Sequence, residues 1–171
     1  MERPELVACD TMNFWIESRR NELVELLGMA DIILLNDGEA RQLTEEYNLV
    51  RAARWILARG PRHVVIKKGE NGAYMFSQHS VFFVPAYPLE EVFDPTGAGD
   101  SFAGGFMGYL ARTGRTDEAA MRRAMVYGST MGSFAVERFS IDRLMEIHRV
   151  DIAHRLEEFR SLVAFEEELD E

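Results

Sequence analysis

Short apolar runs and amphipathic stretches alternate along most of the chain, and their periods separate strands from helices. Leu6 to Cys9 is an apolar run ending at Asp10 and predicts a buried strand. Trp15 to Met29 has helical spacing, with Ile16, Leu23, Leu26 and Leu27 on one side. Asp31 to Leu35 predicts a second strand, closed by Asn36-Asp37-Gly38. Two helices are expected at 39–47 and 49–59, the second stopped by Gly60-Pro61. His63 to Ile66 reads as a third strand, followed by a turn over 67–72. Ala73 to Phe76 and Val81 to Val84 read as a hairpin joined by the polar Ser77 to Ser80. From Gly97 onward the pattern is helical, over about 100–113, 117–135, 141–148 and 151–167.

Strands without alternating polarity, separated by helices, predict a mostly parallel sheet covered on both faces, the α/β class. No internal repeat or linker divides the 171 residues, so one domain is expected. The formal charge is −10, and residues 166–171 alone hold five acids, an acidic tail read as a solvated helix end. The remainder is still acidic, which argues against nucleic acid or anionic lipid as a partner. The single cysteine, Cys9, suits a reducing cytoplasm, and no apolar run reaches the length of a membrane span.

The chemistry is concentrated in Asp94-Pro95-Thr96-Gly97-Ala98-Gly99-Asp100-Ser101-Phe102-Ala103-Gly104-Gly105-Phe106. Two glycines flanking Ala98 just before a helix let backbone N–H groups converge, and a helix N-terminus is an anion site. A carboxylate beside an anion cradle repels the anion if binding is its only task. It makes sense if Asp100 takes a proton from a hydroxyl that attacks a bound phosphoryl group. Asp100 as a plain helix cap is the competing reading. A dinucleotide fingerprint fails because Phe102 stands at the third glycine, and no P-loop pattern occurs.

The stretch from Asp94 to Phe106 resembles the C-terminal signature of the ribokinase-like (PfkB) carbohydrate kinases over more than ten consecutive positions. The resemblance implies a three-layer α/β/α fold, with Asp100 as catalytic base and Gly97, Ala98 and Gly99 in the anion hole. Asp94 and Thr96 match positions that bind a monovalent cation such as K⁺ in some members. Asn36-Asp37-Gly38-Glu39 resembles the family's N-x-x-E motif, which organises Mg²⁺ and the phosphates; a turn with a helix-opening glutamate is the plainer reading. Lys67-Lys68-Gly69-Glu70-Asn71-Gly72 resembles the turn lining the nucleotide, which assigns Lys67, Gly69 and Gly72 to ATP. Asp10-Thr11-Met12-Asn13 resembles the D-x-N segment found in the middle of these kinases. Ser129 lies among small residues (Ala124, Gly128, Gly132, Ser133) on a helix that borders adenine in the family, although close helix packing explains them equally well. Trp15 and Trp55 are expected to pack, and the four histidines show no metal-ligand spacing.

The resemblance covers only the C-terminal portion of a family member. The N-terminal half, with its lid and its glycine-rich acceptor signature, has no counterpart here. The expected function is transfer of the γ-phosphoryl group of ATP to a hydroxyl of a sugar or nucleoside, with Mg²⁺. The alternative is a non-catalytic nucleotide-binding or regulatory module. Half a sheet leaves an unpaired edge, so a homo-oligomer or a complementary N-terminal half is expected, and the chain alone is expected to be inactive.

Overall fold

The computed structural model describes residues 4–164. The acidic tail and the last positions of the helix expected to reach 167 lie outside them. Three parallel strands, β1 (Ala8–Asp10), β2 (Ile32–Asn36) and β3 (His63–Lys67), form one side of a five-stranded sheet in sequential order. The other side is antiparallel, with β4 (Ala73–Phe76) and β5 (Val81–Val84) folding back as a hairpin. The sheet is thus mixed: the parallel strands need helical crossovers, whereas five residues suffice to turn β3 into β4. Register pairs Asp10 with Leu34 and Asn36 with Lys67, so all three parallel strands end on a polar residue at the same sheet edge.

Strand alternation divides the core into two faces. Ile32, Leu34, Val65 and Met75 point toward α5 (Ala98–Thr113), α6 (Glu118–Ala135) and α8 (Arg149–Val163), where Phe106, Met121 and Phe159 are buried with them. Ile33, Leu35, Val64 and Ile66 point the other way, toward α1 (Asn13–Ser18), α2 (Arg20–Leu27), α3 (Asp37–Thr44) and α4 (Leu49–Leu57). The result is the expected three-layer α/β/α sandwich. A short α7 (Asp142–Glu146) links α6 to α8.

One departure lies between Trp15 and Met29, where the spacing predicts a single helix. The chain breaks at Arg19 (φ −141°, ψ 39°) into α1 and α2. Ile16, Leu23 and Leu27 all reach the core across the break. The Arg20 guanidinium, which would share that apolar stripe in an unbroken helix, instead donates twice to the Leu43 carbonyl at the end of α3 (2.8 and 3.2 Å). A carbonyl in a helix's last turn has no intrahelical partner, so this contact both relieves Leu43 and draws α2 against α3.

Gly72 makes the β3–β4 turn possible. It sits at φ 79°, and a Cβ there would lie 2.2 Å from the Val84 carbonyl oxygen of β5. The turn is therefore pressed against the end of the hairpin, which fixes Gly69–Asn71, a single 3₁₀ turn, at the polar sheet edge.

Candidate functional site

The polar ends of β1, β2 and β3, the Gly69–Gly72 turn and the start of α5 surround a cleft of about 1010 Å³. Open α/β sheets bind ligands at this carboxyl edge. The structure brings Asn36, Glu39, Lys67, Gly69 and Gly72 to the cleft, together with Gly97 through Asp100 and Ser129.

The loop before α5 is shaped by Gly97, the residue preceding the helix, at φ 79° and ψ −2°. This left-handed conformation strains residues with a Cβ and turns the chain into the helix without a capping side chain. Ala98 N–H donates to the Pro95 carbonyl (3.2 Å) and Ser101 N–H to that of Gly97 (2.8 Å). The intervening N–H groups of Gly99 and Asp100 have no backbone acceptor among the described residues. Asp100 is exposed, stands in the first turn of a helix capped by Gly97, and provides no cap hydrogen bond. The capping role that competes for Asp100 in the sequence is therefore not the one it fills.

Across the cleft floor, Lys67 Nζ lies 2.6 Å from Asp10 Oδ2, joining β3 to β1 across β2. Asn36 and Glu39 form a capping box at the start of α3: Glu39 N–H donates to Asn36 Oδ1 and Asn36 N–H to Glu39 Oε2. Glu39 is only 6% exposed. Burial pushes its carboxyl above the ordinary range; the Asn36 N–H bond and the Lys67 charge oppose the shift, and Asp10 adds to it. Among the described residues no three His, Cys, Asp or Glu side chains are grouped to ligate a metal directly. The Thr11 hydroxyl is buried at the cleft without a hydrogen-bond partner.

Other expected site residues have different surroundings. Asp94 and Thr96 are not part of the cleft wall; Thr96 N–H donates to Asp94 Oδ1 (2.9 Å), a local turn that sets the approach to Gly97. That backbone bond holds the Asp94 carboxyl below its usual value. The Ser129 hydroxyl donates to the Pro85 carbonyl (2.9 Å), tying α6 to the segment after β5. Of the small residues on α6, Gly128 accommodates the Phe102 ring of α5, where a Cβ would approach within 2.9 Å. Packing of α5 on α6 thus claims part of that stripe, while Ser129, Gly132 and Ser133 also face the cleft.

The helical spacing around Trp15 predicts packing, yet Trp15 is 49% exposed at the cleft rim. Its place on a helical face is legible in the sequence, but what stands opposite that face is not. Sequence reasoning misses the segment after β5 altogether: Tyr87, Leu89 and Val92 form a wall of the cleft. Its only signal is the irregular spacing of Pro85, Pro88 and Pro95, which forbids regular structure without saying where the segment runs.

The sequence profile described as pfkB family carbohydrate kinase matches residues 8–145. The chain belongs to this family. It is similar to a cytidine kinase of Thermococcus kodakarensis, with 39% identity over 106 residues, covering 61% of this chain and 37% of that protein. It is similar to a ribokinase of Staphylococcus aureus, with 30% identity over 135 residues, covering 74% and 43%. Its fold matches the crystal structure of aminoimidazole riboside kinase from Salmonella enterica, complexed with aminoimidazole riboside and an ATP analog. That match has a TM-score of 0.76 and 25% identity, and covers 88% of this chain and 52% of the other. The chain spans about half or less of the length of these family members.

Proposed function

We propose that this chain forms the nucleotide side of a PfkB-type kinase, which moves the γ-phosphoryl group of ATP to a hydroxyl of a sugar or nucleoside. The observation that carries this reading is Asp100. It is an exposed carboxylate without a capping partner, one residue from an N–H group that has no backbone acceptor, in a cleft of the family fold. Asp100 takes the proton of the attacking hydroxyl, and the N–H groups of Gly99 and Asp100, rather than that of Ala98, which is held by the Pro95 carbonyl, meet the charge on the transferring phosphoryl group. Lys67 faces the same phosphates, and Gly69 and Gly72 let the backbone approach them. The cleft residues fit Mg²⁺ held through its water shell, because Glu39 is already engaged in a capping box and no three-carboxylate cluster is present among the described residues. When bound, Mg²⁺ supplies charge neutralisation of the phosphates. Thr96 and Asp94 serve a monovalent cation such as K⁺ through the loop they shape.

The acceptor site and the strands that pair with β1 come from further polypeptide, either a second copy or a complementary N-terminal half, and the enzyme acts in the cytoplasm. Support comes from β1, which is three residues long, has β2 as its one neighbour among the described residues and ends at the cleft. Among the described residues no helix is long and apolar enough to cross a membrane.

The reading is tested by an amide NMR titration of the chain with Mg-ATP, which detects millimolar binding. Perturbations concentrated at Lys67–Gly72 and Gly97–Asp100 are expected. Perturbations centred on the smaller depression between α4 and the β4–β5 hairpin would overturn the assignment.

A further inference from the structure

Among the described residues, five charged side chains stand around the cleft: the carboxylates of Asp10, Glu39, Glu70 and Asp100 against the ammonium of Lys67, a formal −3. A polyphosphate is attracted to such a wall only if something offsets the repulsion. Lys67 is correctly located to do so. Its Nζ lies 3.2 Å from the point where a Gly99 Cβ would stand, against the first turn of α5. Its charge, however, is already committed: Nζ is 2.6 Å from Asp10 Oδ2, and the lysine side chain is 16% exposed. Asp10 is itself fixed, because its other oxygen accepts the Thr11 N–H at 2.9 Å.

We propose that Asp10, by holding Lys67 in this ion pair, makes the cleft selective for metal-loaded over metal-free nucleotide. The inference rests on the nucleotide reading above. Metal-free ATP brings its full negative charge to a wall where, among the described residues, the Lys67 ammonium is offset by Asp10, so it gains little net attraction unless the pair opens. Nucleotide carrying a divalent ion brings its own neutralisation and leaves the pair intact. Asp10 is therefore a specificity-determining residue that acts through Lys67. Replacing its charge frees an ammonium beside the α5 N-terminus, where it can form a charge-assisted hydrogen bond to phosphate.

The test is the NMR titration run twice, with ATP in excess EDTA and with Mg-ATP, on the chain and on Asp10→Asn. Asp10→Asn is expected to tighten metal-free ATP by about tenfold and Mg-ATP by less than about threefold. In a Lys67→Met background the gain for metal-free ATP is expected to fall below about twofold, because no ammonium remains to be released. The amide spectrum without ligand reports whether each variant is folded, and Asp10→Ser is read in the same way. Equal changes for both nucleotide forms, or a gain that persists without Lys67, would overturn the proposal and leave the nucleotide reading standing. Failure of both forms to bind any folded variant would overturn the nucleotide reading itself.

Discussion

Asn36 and Glu39 cap one another: the Glu39 N–H reaches Asn36 Oδ1 at 2.8 Å and the Asn36 N–H reaches Glu39 Oε2 at 2.9 Å. The plainer reading of this pair, a turn opening a helix, is therefore part of the structure, and a role toward Mg²⁺ has to be carried by the same carboxylate. Glu39→Gln separates the two. A glutamine oxygen still accepts the Asn36 N–H, so α3 keeps its cap, while the charge that attracts a hydrated ion is gone. The Mg²⁺ midpoint of nucleotide binding should rise by at least about threefold with little change in metal-free affinity. An unchanged midpoint in a magnesium titration assigns Glu39 to the helix start alone.

Asp100→Asn tests the base. Gly97 rather than Asp100 precedes the helix as its cap, so the substitution should leave α5 intact. In an enzyme completed by its acceptor side, turnover should fall by about 10²–10⁴-fold with nucleotide affinity little altered. Near-normal turnover removes Asp100 from the proton transfer.

Gly72 and Gly69 make a controlled pair for the turn that frames the cleft. Both have positive φ, but a Cβ at Gly72 meets the Val84 carbonyl and the Pro85 backbone, whereas one at Gly69 meets nothing within 4 Å. Gly69→Ala should cost about 1 kcal/mol of backbone strain, and Gly72→Ala well above about 2 kcal/mol, because the backbone at the end of β5 must also move. Urea unfolding of the two variants measures the difference. Equal losses contradict the close approach of the turn to β5.

His63 gives the fold a pH dependence at the end of β3 away from the cleft. Burial lowers its pKa; Glu118, whose carboxylate lies 3.8 Å away, opposes the shift, and Arg62 adds to it. The folded state therefore holds the neutral ring while the unfolded polypeptide takes up a proton at about pH 6.5. Stability contributed by this group is present above that pH and is lost as pH falls through it toward the lowered folded value. His63→Gln should flatten the stability profile in that window, as read by urea midpoints between about pH 5 and 7.5. A slope identical to the parent's assigns the acid sensitivity to other groups.

What the sequence made legible was contiguous. Asn36-x-x-Glu39 and Gly97 to Asp100 each lie within four residues, so their local geometry follows from helix starts and glycine placement. The α/β class and a sheet covered on both faces followed from short apolar strand runs separated by helices. What escaped depends on distant partners. Asp10 and Lys67 meet across 57 residues because two crossovers bring β1 and β3 to one edge. The break at Arg19 answers to a carbonyl at Leu43, and the claim of Phe102 on Gly128 is set by how α5 lies on α6. Periodicity assigns a face to each helix, but only packing decides whether that face meets a core, a neighbouring helix or a cleft.

The central claim is that the nucleotide side is built into this chain while the acceptor side is not. A coupled ATP-consumption assay of the chain alone, with a panel of sugars and nucleosides and run beside a sizing measurement, tests it most directly. Holding the hydroxyl in line with the phosphoryl group is worth roughly 7–11 kcal/mol of barrier lowering, and the proposed reading leaves that positioning to further polypeptide. No acceptor-dependent turnover is expected from a monomer, with turnover appearing only in an assembly that completes the β1 edge. Robust acceptor-dependent turnover by a clean monomer would contradict it.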